Sequence, residues 1–226
     1  MRQATGNALS AALIAAISSI EKEYTMSLDR TERNARPGVD RQFIDRWSPR
    51  AFDPTQEISR EEIEIIFSAA RWSPSCFNDQ PWQFVVAPRT GLDFQDFLET
   101  LAPKNQKWAK KAALIGYVVC RRHFAEKEAK NAWAEFDSGA AWMAMTLQAN
   151  ALGWYTHGMG GFDQAQAAKR IGADGNAYKV ICAFAIGKRS DPSTLPEDLR
   201  DAESPNGRKP LSEVVQFGHL GTPPTA

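Results

Sequence analysis

Apolar and polar positions follow two periods along this chain, and the change of period marks its elements. Over 59–71 the apolar residues Ile63, Ile66, Phe67 and Ala70 fall at i, i+3, i+4 and i+7, one stripe of a helix. Ser59 with Glu62 forms a capping box at its start, and Pro74 ends it. Residues 83–87 and 113–120 are short, continuous apolar runs of strand length, the second fit for burial on both faces of a sheet. Phe94, Phe97, Leu98 and Leu101 predict an inward-facing helix over 92–101. Residues 133–152 predict a long helix with Phe136, Ala140, Met143 and Leu147 as its inner stripe and Gly153 as its C-cap. A β-like piece then runs into a glycine-rich turn at 154–161, and Asp163 caps a short helix reaching Ile171. The strongest strand is 178–186, closed by Gly187. A polar loop over 190–205 and one last element near Val214 complete the pattern. The pattern thus predicts a single series of helices with strands interspersed among them.

Composition narrows the classes of function. Lys and Arg number 27 and so do Asp and Glu, so net charge offers no electrostatic case for nucleic acid or an anionic membrane as partner. The apolar segment 8–20, preceded by Arg2, is too short to span a bilayer and reads as an amphipathic N-terminal helix. The polar stretch 21–40 reads as an arm, and Met26 could serve as an alternative start. This divides the chain into an N-terminal helix and arm (1–40), one main domain (41–218) and a tail (219–226). Three cysteines, Cys76, Cys120 and Cys182, are an odd number without metal-ligand spacing, which favours reduced thiols in a cytoplasmic protein and no metal centre.

The chemistry gathers around residues 70–87. Here a Ser/Pro/Asn loop joins a helix to a strand and exposes backbone N–H groups and short polar side chains, a surface suited to a planar, hydrogen-bonding ligand. Cys76 in that loop is either a reactive thiol or a small residue that fits the turn. Arg46, Ser48 and Arg50 alternate, so an extended backbone places them on one face. Two guanidinium groups beside a hydroxyl make a phosphate clamp, although that spacing alone also describes a solvated loop. His157 stands without a carboxylate partner for acid–base work, and a structural role is open to it. Gly160 and Gly161 let backbone approach a flat ligand, but no G-x-G-x-x-G follows a strand.

These pieces, in this order, resemble the nitroreductase family of FMN-dependent oxidoreductases. Arg46-Trp47-Ser48-Pro49-Arg50 is similar to the family's R-x-S-x-R, and residues 70–84 to its A-x-x-x-P-S-x-x-N-x-Q-P-W-x-F. Asn105, Leu152-Gly153 with Gly160-Gly161-Phe162, and Arg208-Lys209-Pro210-Leu211 match further stretches. The resemblance implies an α+β fold with a mixed, mainly antiparallel sheet flanked by helices, in an intertwined homodimer with FMN at the interface and NAD(P)H as cosubstrate. It implies that Arg46, Ser48 and Arg50, with Arg208 or Lys209, hold the phosphate end. Pro74, Ser75 and Asn78 line the isoalloxazine from the partner subunit, and Asn105 meets the pyrimidine edge. The backbone N–H of Gly160 or Gly161 faces flavin N5. The implied activity is ping-pong hydride transfer to a small acceptor such as a nitroaromatic or quinone. A flavin-binding sensor or flavin-processing protein, or a specialised dehydrogenase of the same family, are the alternatives. The family often carries a functional side chain where Gly160 stands and Lys or Arg near Trp108, so the substrate-facing rim is expected to differ here.

Overall fold

Strand β2 (Leu114–Arg121) is buried at every position but its last, so the molecule is built as two apolar layers, one against each of its faces. The structure, a computed structural model, describes residues 33 and 35–221. The expected N-terminal helix at 8–20 and Met26 lie outside the described residues. Arg36–Ser204 form one compact unit, and the described residues from Pro205 onward belong to a second.

The sheet lies in the first unit, with strand order β1-β2-β4-β3, where β1 is Trp82–Pro88, β3 Tyr155–Met159 and β4 Tyr178–Gly187. Among the described residues every pairing is antiparallel, where a mixed, mainly antiparallel sheet was expected. The reason is topological. β2 and β3 run parallel to each other, but β4 is inserted between them and pairs antiparallel with both.

Side chains alternate across the sheet with the period of two that strands impose. Ile115, Tyr117, Val119, Ala183 and Ala185 face a layer containing Phe52, Phe97 and Trp108. Leu114, Val118, Phe184 and Ile186 face the other, with Ile66, Met145 and Trp154. The first layer is carried by short helices, α3 (Phe94–Glu99), α4 (Pro103–Ala109), α6 (Gln164–Arg170) and α7 (Glu197–Arg200). The second is carried by α2 (Arg60–Ala70) and the long α5 (Ala134–Ala151), while α1 (Arg41–Asp45) precedes the site segment.

The capping box starts α2 as expected: Ser59 accepts from Glu62 N–H and Glu62 from Ser59 N–H. Phe94, Phe97, Leu98 and Leu101 are buried, and Asp163 caps α6. Two elements differ from expectation. Helix α4, with Pro103 at its first turn, occupies a stretch that carries no long apolar stripe. The loop after 190 contains α7, whose Leu199 is buried together with Leu195.

The inner face of α5 is also corrected. Phe136 is 75% and Met143 37% exposed, whereas Ala134, Asp137, Ser138, Ala141, Met145 and Ala149 are buried. Small side chains let this helix lie close to α2 and the sheet, so its bulky apolar residues turn outward.

The sheet leaves no room at Gly116. A Cβ there would stand 2.6 Å from Phe184 Cζ and 2.8 Å from the Val85 carbonyl oxygen. Gly116→Ala is therefore expected to lower stability by about 1–3 kcal/mol through overpacking, read as a shift of the urea midpoint; an unmoved midpoint contradicts this packing.

Candidate functional site

Between α1 and Phe52 the chain runs extended, and burial alternates residue by residue. Trp47 and Pro49 are buried, while Arg46, Ser48 and Arg50 are half-buried on the other side. This alternation sets the three expected residues on the less buried side; Arg46 Nη1 donates to Ser48 Oγ over 3.4 Å, and Arg50 Nη1 donates to the Ala202 carbonyl at 3.5 Å. Two fixed points hold the segment. Arg50 N–H and Ala51 N–H both donate to Glu203 Oε1 at 2.8 Å. The Pro49 carbonyl accepts from His157 Nδ1 at 3.0 Å. A carbonyl only accepts, so the His157 proton sits on Nδ1.

His157 ties this segment to the neighbouring parts of the site. Its ring packs on Trp108 of α4 at 4.7 Å between centroids. One turn earlier on that helix, Asn105 Nδ2 donates to Gly161 O at 3.0 Å, and Ala102 N–H donates to the same oxygen at 2.9 Å. Helix α4 thus meets the turn after β3 through Asn105 and, three residues on, the ring of His157 that holds the Pro49 backbone. Trp108 is fully buried, so it is a core residue and not part of an exposed rim. A Cβ at Gly161 would stand 3.0 Å from Asn105 Nδ2, while one at Gly160 would meet nothing within 4 Å.

The loop with Pro74, Ser75 and Asn78 is anchored elsewhere. Cys76 N–H donates to the buried Asp137 of α5 at 3.1 Å. Asp79 accepts from Ala125 N–H at 2.8 Å and Asn131 Nδ2 at 2.9 Å, and pairs with Arg121 at 3.0 Å. Burial alone would raise the Asp79 pKa, but these donors and the Arg121 charge outweigh it and hold the carboxyl below its ordinary range. Held in this way, Phe77, Asn78 and Gln80 take φ of 54°, 55° and 48°, a left-handed conformation that costs L residues about 1 kcal/mol or more each. Pro74 and Asn78 are exposed, and Ser75 Oγ accepts from Gln80 N–H at 3.0 Å. Arg208 and Lys209 lie in the second unit, both exposed; Arg208 donates to the carbonyls of Asn206 and Gly207, and Lys209 faces Glu213 at 3.6 Å.

Sequence reasoning missed Glu203, Asp79 and Asp137. Asp79 had a local signal, an acid beside Asn78 in a turn-rich loop. Asp137 had a weaker one, an acid on the small-residue side of a helix. Glu203 had none, because its partners lie about 150 residues away.

A family model described as the nitroreductase family matches residues 44–111 and 92–188. YdgI of Bacillus subtilis (strain 168), named as a candidate NAD(P)H nitroreductase, is 28% identical over 184 residues, covering 65% of this chain and 86% of that protein. The CLA biosynthesis enone reductase of Lactiplantibacillus plantarum is 23% identical over 181 residues, covering 65% of this chain and 83% of its own length. A crystal structure described as an oxidoreductase containing FMN superposes with a TM-score of 0.80 at 39% identity, covering 86% of this chain and 98% of that one. Among the described residues no helix is long and apolar enough to cross a membrane.

Burial, reinforced by the Arg50 charge and opposed by the bond to Pro49, lowers the His157 pKa from 6.5 to about 4. The unfolded chain takes up this proton below pH 6.5 and the folded one only near 4, so stability falls as pH drops through that window. The full effect is roughly 3 kcal/mol. His157→Asn is expected to flatten the difference between urea midpoints at pH 7 and pH 4.5; an equally steep loss in both proteins contradicts a neutral, half-buried imidazole.

Proposed function

We propose, on the premise that this chain belongs to the nitroreductase family, that it is an FMN-dependent oxidoreductase acting between NAD(P)H and a small acceptor as a homodimer. The acceptor is a nitroaromatic, a quinone or a compound of like electron demand, reduced in a ping-pong cycle. The observation that carries the reading is the shared face of Arg46, Ser48 and Arg50. Two guanidinium groups and a hydroxyl, aligned by an extended backbone, are the donor set that a phosphate monoester dianion requires.

When bound, FMN supplies a two-electron carrier that takes hydride from the reduced nicotinamide and yields it to the acceptor. Arg46 and Arg50 would neutralise its phosphate, with Ser48 adding a neutral donor. Asn105, oriented by its bond to Gly161, would meet the pyrimidine edge. The backbone at Gly160 is exposed and unobstructed, so its N–H can approach a flat ring closely. Pro74, Ser75 and Asn78 would serve the site of the other protomer. Arg208 and Lys209 are proposed, on the resemblance alone, as further cations for the phosphate. His157 is neutral at pH 7 and committed to Pro49, so it holds the backbone and transfers no proton.

Two further observations support the coarser features of this reading. Trp133, Phe136 and Met143 leave a bulky apolar face open on α5, of the kind a second protomer covers. Cys76, Cys120 and Cys182 are free thiols, in keeping with a reducing cytoplasm.

The test is a visible absorbance spectrum followed by anaerobic titration with NADPH and NADH. The protein is expected to be yellow, or to turn yellow on incubation with FMN, and to bleach with at least one nicotinamide. A protein that takes up no FMN overturns the proposal, and one that binds FMN but is not reduced is a flavin-binding protein without this activity. Arg46→Ala and Arg50→Ala are each expected to raise the FMN Kd by about ten- to a hundredfold, the loss of charge-assisted hydrogen bonds.

A further inference from the structure

The peptide unit joining Pro49 to Arg50 is held at both of its polar ends. Its C=O accepts the Nδ1–H of His157 at 3.0 Å. Its N–H donates to the Glu203 carboxylate, 2.8 Å from Oε1 and 3.0 Å from Oε2. The next N–H, that of Ala51, shares Oε1 at 2.8 Å. A peptide unit is a rigid plane, so anchors on its two opposite edges fix its rotation about the chain.

That rotation matters for the clamp. Arg46, Ser48 and Arg50 share a face only while the backbone between them stays extended. A turn of the Pro49–Arg50 plane would swing the Arg50 Cα–Cβ bond away from Ser48. The anchors come from distant parts of the chain: His157 from β3, its ring packed on Trp108, and Glu203 from beyond α7. Glu203 is 9% exposed, and both its oxygens are engaged by backbone N–H groups. The segment itself, Arg-Trp-Ser-Pro-Arg, has no internal ladder of hydrogen bonds to hold it extended, so its geometry is imposed from outside.

We infer that His157 and Glu203 are positioning residues for phosphate recognition, which fix the Pro49–Arg50 plane and so keep Arg50 on the face of Arg46 and Ser48. The inference rests on the reading of this face as the phosphate end of an FMN site. Neither residue touches the ligand; each acts through the backbone.

FMN and riboflavin share a ring system and ribityl chain and differ in the phosphate, so the ratio of their affinities isolates the clamp. Protein stripped of flavin is titrated with each, followed by quenching of flavin fluorescence. His157→Phe keeps a ring against Trp108 but removes the donor. It is expected to raise the FMN Kd about tenfold while riboflavin binding moves less than about twofold. His157→Asn, which can place an amide N–H near the Nδ1 position, is expected to restore most of the ratio. Glu203→Ala is expected to lower the ratio at least as far as His157→Phe, and Glu203→Gln, with one acceptor oxygen left, to fall between. Circular dichroism and thermal melts establish that each variant is folded; should one of the drastic variants fail to fold, His157→Asn and Glu203→Gln carry the comparison. An unchanged ratio in the folded variants, or an equal loss for both flavins, overturns the inference while leaving the FMN reading intact. Wild-type protein that binds neither flavin overturns the FMN reading itself.

Discussion

Burial of β2 on both faces is the constraint from which the rest of the main unit follows. A strand with no solvent face needs an apolar layer above and below it, and one helix cannot provide both. The chain answers with a helix pair, α2 and α5, on one side and several short helices on the other. Polar chemistry is then confined to the margins of these layers, where extended segments and loops leave the core. The arginine segment lies at one such margin, pinned to β3 through His157. The Ser/Pro/Asn loop lies at another, pinned to the start of α5 and the end of β2 through Asp137 and Asp79.

The two margins share a principle of construction. In each, a carboxylate accepts backbone N–H groups from a loop or a single short turn: Glu203 for residues 50 and 51, Asp137 for Cys76 at the start of a 3-10 turn, Asp79 for Ala125. Ionised acceptors bind such donors more strongly than neutral ones and fix their direction. The local rules of a stable core are relaxed at the same places. Phe77, Asn78 and Gln80 take left-handed backbone, and the indole N–H groups of Trp47 and Trp108 are buried without an acceptor among the described residues. Departures of this kind concentrate where a protein gives up local stability for a shaped surface.

Much of the fold was legible because its signals are local. Ser59 and Glu62 announce α2, Asp163 announces α6, and the apolar runs at 113–120 and 178–186 announce the central strands. The alternation of Arg46, Ser48 and Arg50 was legible for the same reason, since a period of two needs no knowledge of the rest of the chain. The orientation of α5 was not. Counting large apolar residues chose the Phe136–Met143 side, whereas the helix buries its alanines, because close approach to α2 favours small volume over large apolar area. Glu203 was beyond reach for a different reason: a carboxylate whose partners lie about 150 residues away along the chain leaves no spacing in the sequence to read.

Gly160 has a consequence of its own. It lies exposed after β3, outside the left-handed region that would demand glycine, with empty space where a side chain would begin. Its neighbour Gly161 is crowded by Asn105 and has no such latitude. The chain therefore carries one vacant address at its candidate site, where a Cβ meets nothing within 4 Å. Evolutionary retuning toward bulkier or charged guests has an open door there, and a saturation library at this single codon is the shortest route through it.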